Sequence, residues 1–321
     1  MPGTPPDTLS DKPSRLTIGT RGSDLALAQA NLVAARLRAV HPDLAAPDAI
    51  GITVIKTTGD LVQDRPLAEI GGKGLFTKEI EEALLDGRID LAVHSMKDLE
   101  THLPEGLLIA ATLEREDPRD VLLAKSATSI SDLPEGAVVG TASLRRGAQI
   151  LAARPDLKVV PFRGNVNTRI AKLEAGEVDA TILALAGLRR LGMTEYEARA
   201  IPVAEMLPAV AQGAIGLECR ADDETTRACL AALEHLPTAR AVAAERALLA
   251  ALDGSCRTPI AALATLAGAA LSLEALIAMP DGSVLHRDRR DGRTQDAEAI
   301  GAAAGAALRA LGGPGFFDTD D

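Results

Sequence analysis

A short apolar run, Leu91-Ala92-Val93, leads directly into His94-Ser95-Met96-Lys97-Asp98. Ionisable groups are costly to bury unless they are paired or solvated in a cleft. In open α/β sheets the carboxyl end of a strand is where ligands bind. The cluster therefore marks a candidate site centred on Asp98 and Lys97. The plainer alternative is a solvated strand end with one ion pair, and this segment alone does not choose between them. A second chemical signal is cationic. Arg21 follows the first strand, Arg145 and Arg146 open a helix, Arg163 and Arg169 flank Gly164-Asn165-Val166-Asn167-Thr168, and Arg189-Arg190 follow the strand at 180–186. Helix starts bind anions through free N–H groups, and guanidinium forks grip carboxylates in pairs. One by one these arginines read as surface residues; together they point to a cleft for a polyanionic ligand. The third signal is Cys256, in the turn Asp253-Gly254-Ser255-Cys256-Arg257. A nearby cation favours thiolate, which makes it the candidate reactive thiol. Cys219, in a strand, and Cys229, on an apolar helix face, read as packing residues.

The elements that must position these groups repeat. Leu16–Thr20 reads as a strand that ends in Arg21-Gly22-Ser23 and enters a helix, with Ser23 as N-cap, Leu25, Ala28, Leu32, Leu37 and Val40 on one stripe, and His41-Pro42 as the stop. Ala137–Ser143 repeats the plan and enters a helix through Leu144-Arg145-Arg146. A second pair matches in the same order. Leu84–Asp90 precedes the strand at 91–93, and Leu173–Asp179 precedes that at 180–183, each reading as helix, C-cap glycine and buried strand. The simplest account is two similar α/β domains, 15–113 and 119–207, with linkers near Glu114–Arg119 and Leu207–Ala211. Beyond them come a strand at 215–219, Ala/Leu-rich helix over 222–252, short strands after Ala261 and a last helix near 295–311. Gly71-Gly72-Lys73-Gly74 lacks the phosphate-loop spacing and reads as a mobile loop over a cleft.

Composition narrows the classes. Aromatics make up 2% of the 321 residues, with no Trp, so base-stacking platforms are missing; a net charge of −11 opposes nucleic acid and anionic membranes. No apolar run is long enough for a bilayer, and no signal segment opens the chain. Three cysteines form no metal-ligand spacing and no even disulfide set, so no metal site is expected, and a reducing cytoplasm fits.

The motif Leu91–Asp98 resembles the hallmark of the hydroxymethylbilane synthase (porphobilinogen deaminase) family. The resemblance extends through Ile18-Gly19-Thr20-Arg21, Gly71–Phe76, Arg115–Asp120, Ser143-Leu144-Arg145-Arg146, Arg163-Gly164-Asn165, Ala186–Gly192 and Gln212–Arg220. It implies an enzyme of tetrapyrrole biosynthesis that joins four porphobilinogen molecules head to tail and releases four ammonia. It implies a dipyrromethane cofactor in thioether linkage, here on Cys256, and Asp98 as the catalytic residue. Lys97, Ser143, Arg145, Arg146, Arg169 and Arg190 match cofactor-binding positions, and Arg21, Ser23 and Arg163 substrate-binding ones. The implied fold class is α/β: two periplasmic-binding-protein-like domains with doubly wound sheets and a small C-terminal α+β domain. The expected partition is a disordered tail at 1–14, domain 1 at 15–113 and 212–231, domain 2 at 119–207, domain 3 at 236–311 and a frayed tail at 312–321. A cytoplasmic monomer is expected, with porphobilinogen as partner and no nucleic acid or membrane.

The implied chemistry suits these residue types. Loss of ammonia leaves a cationic pyrrole methylene, which a carboxylate such as Asp98 can stabilise while it also moves protons. Each ring carries two carboxylates, so the cleft needs arginines, with Arg190 facing the ligand and Arg189 mostly solvated. Three positions depart from the family pattern: Ala142, Thr58 and Ser255. The competing class is a two-lobed small-anion-binding module without catalysis, for which Cys256 has no evident use.

Overall fold

The computed structural model describes residues 15–61, 74–254 and 258–316. Three sheets organise them. The first has the order β2-β1-β3-β9-β4, from β1 (Leu16–Thr20), β2 (Ile50–Val54), β3 (Leu91–Ser95), β4 (Leu107–Thr112) and β9 (Ile215–Arg220). The second has the order β5-β8-β6-β7, from β5 (Asp120–Ala124), β6 (Val138–Gly140), β7 (Lys158–Val160) and β8 (Ala180–Ala184). The third is an antiparallel meander of β10 (Ile260–Ala267), β11 (Ala270–Ala278) and β12 (Leu285–Arg293).

The first two sheets are built alike. β1 runs parallel to β2 and β3, and β6 runs parallel to β7 and β8. Each sheet then takes one antiparallel strand beside the third of these: β9 against β3, β5 against β8. In both cases that strand has just crossed from the other lobe, over residues 113–119 or 207–214. The repeat reaches single side chains. Asp90 Oδ2 accepts from the Thr17 N–H at 2.7 Å, and Asp179 Oδ2 accepts from the Val138 N–H at 2.7 Å. Gly87 and Gly176, with φ of 70° and 83°, end the helices α2 (Lys78–Leu85) and α4 (Val166–Glu174) that precede β3 and β8. The C-cap glycines expected from the sequence are these two.

Helix α1 (Asp24–Val40) is capped by Ser23, whose Oγ accepts from the Ala26 N–H at 3.3 Å, and it stops at His41. Its buried face is Ala30, Val33, Ala34 and Leu37, the i, i+3, i+4, i+7 pattern of a helix packed on a sheet. Leu32 and Val40, expected on that stripe, are exposed. The apolar face is rotated by about one position, so that Ala30, Val33 and Ala34 rather than Leu32 meet the sheet.

Helix α6 (Glu224–Ala231) follows β9. The meander is covered by α7 (Leu236–Ala251) and α8 (Ala297–Gly312), and their shared core takes in Met96, Leu99 and Val210 from the first lobe and the second crossover. Glu245 on α7, fully buried, clasps both crossovers: it pairs with Arg115 at 2.6 Å and accepts from the Ala211 N–H at 2.6 Å. The expected frayed tail does not begin at 312. Helix α8 includes Gly312, and the Phe316 ring lies 5.6 Å from that of His286. The tail expected at 1–14, and residues 317–321, fall outside the described residues.

Candidate functional site

Parallel pairing of β1 and β3 brings their carboxyl ends to one edge of the first sheet. That edge opens on a small cavity of about 50 Å³ whose lining includes Arg21, Ser23, Phe76, His94 and Asp98. Three of the expected site residues, Arg21, Ser23 and Asp98, thus meet in one space. The Arg21 guanidinium lies over the Phe76 ring, 4.3 Å from its centroid, which holds the cation against an apolar wall. Asp98 is half-buried in the single 3-10 turn that follows β3.

Lys97 points elsewhere, toward the lobe junction, where its Nζ donates to Gln212 Oε1 at 3.4 Å. Burial pushes its ammonium down to about 8, and Arg146 and Arg145 add to this, while Asp98 and Asp120 oppose it. Arg169, on α4 of the second lobe, faces the same region. Burial and Arg146 push its guanidinium down to about 10 against the pull of Asp98, and its Nε is buried without a hydrogen-bond partner. Arg190, at the end of α5 (Leu185–Arg190), donates to Gly213 O at 2.6 Å, and burial pushes it to about 10. Arg163 is half-buried in the loop after β7.

Arg145 and Arg146 turn inward. They open helix α3 (Leu144–Ala153), with Ser143 as N-cap, and both reach Asp120, which is fully buried at the start of β5. Arg145 Nη2 donates to Asp120 Oδ2 at 2.8 Å and Arg146 Nη2 to Oδ1 at 2.7 Å, while Arg145 Nη1 donates to Leu207 O and Arg146 Nη1 to Ile182 O. Burial pushes the Asp120 carboxyl up, but the two guanidiniums prevail and hold it well below the usual carboxylate range. The expected solvated role of Arg189 does not hold. Its guanidinium pairs with Glu116 at 2.7 Å and Glu197 at 3.0 Å and so fastens α5 to the first crossover. The reason is tertiary: the Glu116 carboxylate returns beside α5 only once β5 and β8 pair.

The remaining sequence signals divide. Cys219 and Cys229 are free thiols whose pKa burial raises, to about 11 for Cys219, as inert packing residues should be. Lys73 and Cys256 lie outside the described residues, as does the Ser255 departure. Gly74, the last residue of the glycine-rich stretch, donates its N–H to Glu100 Oε1 at 2.7 Å. Gly254, the last described residue before Cys256, accepts from Thr101 Oγ1 at 2.8 Å, three residues beyond Asp98. Thr58 pairs with Glu79, and Ala142 is exposed. Among the described residues, no group of three His, Cys, Asp or Glu side chains is arranged to hold a metal ion.

Several polar residues at the site were not singled out from the sequence. Gln29, 2% exposed on α1, donates from Nε2 to Ser95 Oγ at 2.9 Å. Glu218, fully buried, pairs at 2.9 Å with His94 of the polar cluster read from the sequence. Gln212 is 1% exposed. The available signal was a lone polar residue within an apolar stretch, as at Gln29 and Glu218.

Residues 16–228 match the family described as porphobilinogen deaminase, dipyromethane cofactor binding domain, and residues 239–310 match the porphobilinogen deaminase C-terminal domain. The chain is 56% identical over 310 residues to the porphobilinogen deaminase of Paracoccus denitrificans, covering 97% of this chain and 98% of that one. It is 54% identical over 312 residues to the chloroplastic porphobilinogen deaminase of Oryza sativa, covering 96% of this chain and 87% of that one. A solved Bacillus subtilis structure, a putative methionine-binding lipoprotein, aligns at 11% identity and TM-score 0.41 over 68% of this chain and 90% of its own. The matches of both family domains, and identity above one half along nearly the whole chain, set aside the non-catalytic alternative and place the chain in the porphobilinogen deaminase family.

Proposed function

We propose that Asp98 is the residue on which catalysis turns, with Arg21 and Ser23 holding the incoming substrate and Arg169 the bound chain. The enzyme is a transferase of tetrapyrrole biosynthesis: it condenses four porphobilinogen molecules head to tail to hydroxymethylbilane and releases four ammonia. The observation that carries the assignment of roles is the shared cavity at the ends of β1 and β3, with a carboxylate from one strand end and a guanidinium from the other. As ammonia leaves porphobilinogen, positive charge spreads into the pyrrole. Asp98 accepts the pyrrole N–H and stabilises that charge where it grows. It gives a proton to the amine as ammonia departs, and it recovers one from the ring carbon after the new carbon–carbon bond has formed. Arg21 and Ser23 hold the acetate and propionate arms, so that the reacting carbon faces Asp98. Arg163 completes the substrate lining.

The family's dipyrromethane cofactor supplies an electron-rich, carboxylate-bearing end to extend. This chain's residues fit such a group. A buried guanidinium nitrogen without an acceptor, Arg169 Nε, is what a carboxylate satisfies. Lys97 and Arg190 add cationic donors at the lobe junction. Cys256 is assigned as the attachment point. Two residues before it in sequence, Gly254 accepts a hydrogen bond from Thr101. Arg145, Arg146 and Ser143 support the cofactor from behind: the two guanidiniums are committed to Asp120, and their positive field extends toward Lys97 and Arg169.

The finer organisation follows the same reading: domain 1 at 15–113 and 212–231, domain 2 at 119–207, domain 3 at 236–311, working as a cytoplasmic monomer without nucleic acid or membrane. The net charge of −11 supports this, and no helix among the described residues is long and apolar enough to cross a membrane. Light scattering that gave a dimer would correct it.

The catalytic role is tested by single-turnover ammonia release. Asp98→Asn keeps the shape and removes the charge, and its turnover should fall by at least roughly a hundredfold; Asp98→Glu should retain a small residual rate. Near-normal release by folded Asp98→Asn would refute the assignment.

A further inference from the structure

Gln212 lies on the second crossover between two residues with positive φ, Ala211 at 58° and Gly213 at 93°. A Cβ at Gly213 would collide with Glu116 O, so the crossover is pressed against its counterpart, and the Gln212 side chain enters the lobe junction. Its Nε2 donates to Pro118 O at 2.7 Å and to Asp120 Oδ1 at 2.9 Å. The first is a carbonyl, and the second is a carboxylate kept ionised by Arg145 and Arg146; neither can donate. Both N–H groups of the amide are thus consumed, and the amide has one allowed orientation. Its Oε1 must point the other way, and there it meets Lys97 Nζ at 3.4 Å. Lys97 comes from the first lobe, next in sequence to Asp98; Asp120, Arg145 and Arg146 belong to the second. One side chain on the crossover bridges the two.

We propose that Gln212 is a positioning residue for the condensation: its amide, oriented by Asp120 and Pro118, holds the Lys97 ammonium at the junction of the lobes. This rests on the reading of Lys97 as a ligand-binding cation. A long flexible lysine beside two arginines would otherwise be repelled from the site it serves. The charged groups that act on it are Asp98, Asp120, Arg145 and Arg146. None is a neutral acceptor that could fix the position of the ammonium without changing its charge, and Gln212 is.

The experiment is a double-mutant cycle on the holoenzyme, with Gln212→Leu and Lys97→Met singly and together, and Gln212→Asn as the milder variant. Asn keeps the amide but, one methylene shorter, cannot span from Asp120 to Lys97. Turnover, thermal unfolding and the pH midpoint of Lys97 acetylation by acetic anhydride, read by peptide mass, are measured for each. If Gln212 acts through Lys97, Gln212→Leu and Gln212→Asn lower kcat roughly tenfold alone and less than about twofold in the Lys97→Met background. The acetylation midpoint of Lys97 should also fall by about half a unit or more, because the ammonium loses an acceptor. Full additivity beside an impaired Lys97→Met, or an unmoved midpoint in a folded variant, overturns the role of Gln212 alone. Normal turnover by Lys97→Met overturns the reading of Lys97, and the proposal with it. Failure of both Gln212 variants to fold in either background makes the residue structural and also overturns the proposal.

Discussion

Lys97 shows how much a single buried charge constrains a site. Its ammonium is pushed down to about 8, whereas an unfolded lysine titrates near about 10.4. The folded state therefore binds fewer protons than the unfolded chain between these values. Below about pH 8 the cation carries its full burial cost, and stability recovers as pH rises through the window. Lys97→Met should thus be more stable than the parent at pH 7, by on the order of 1–3 kcal/mol, while losing activity, and the difference in Tm should shrink toward pH 10. Calorimetry at several pH values checks this; a variant that is less stable at pH 7 contradicts it. The position of Asp98 could be read from sequence because a polar cluster at the end of an apolar strand is a local pattern. The partners of Lys97 could not: Gln212 is over a hundred residues away and reaches it only through the crossover.

At the level of elements, the instructive case is the start of α3. Two adjacent arginines at a helix N-terminus read as anion binders, and their positive field does reach the site. Their hydrogen bonds, however, reach Asp120 at the start of β5, a pairing that no local pattern announces. Removing one partner of a buried charge cluster leaves the other uncompensated, at a cost of about 3–5 kcal/mol. Asp120→Asn leaves two buried guanidiniums without their counter-charge and should lower stability by this order in denaturant titration, before any effect on ligand binding is considered; Arg145→Leu, which leaves Asp120 paired with Arg146, should cost less. An Arg145→Leu protein as stable as the parent would return this residue to a purely ligand-binding role. The repeat itself was legible, since β1 and β6, and β3 and β8, carry the same strand, glycine and helix signals. The rotation of the α1 face was not, because Ala and Leu both count as apolar and the helix carries apolar residues on more than one face.

For the molecule as a whole, attachment of the cofactor is the property to weigh. The holoprotein should exceed the mass of its chain by two pyrrole units. Cys256→Ser should fold and lack that increment, because an alcohol is a far weaker nucleophile than a thiolate; Cys219→Ser should keep it. Intact mass with peptide mapping decides, and an adduct on Cys219 or Cys229 would move the assignment.

The placement of β9 also bears on how the chain is made. It sits inside the first sheet, between β3 and β4, yet it follows the entire second lobe in sequence. During synthesis, the strands up to β4 emerge with a gap in their midst that only residues 215–220 can close. The second lobe is complete by then, since its antiparallel strand β5 comes first. The earliest-translated lobe is therefore the later one to finish folding, and its unpaired β3 and β4 edges are what a nascent-chain chaperone would have to shield in the interval.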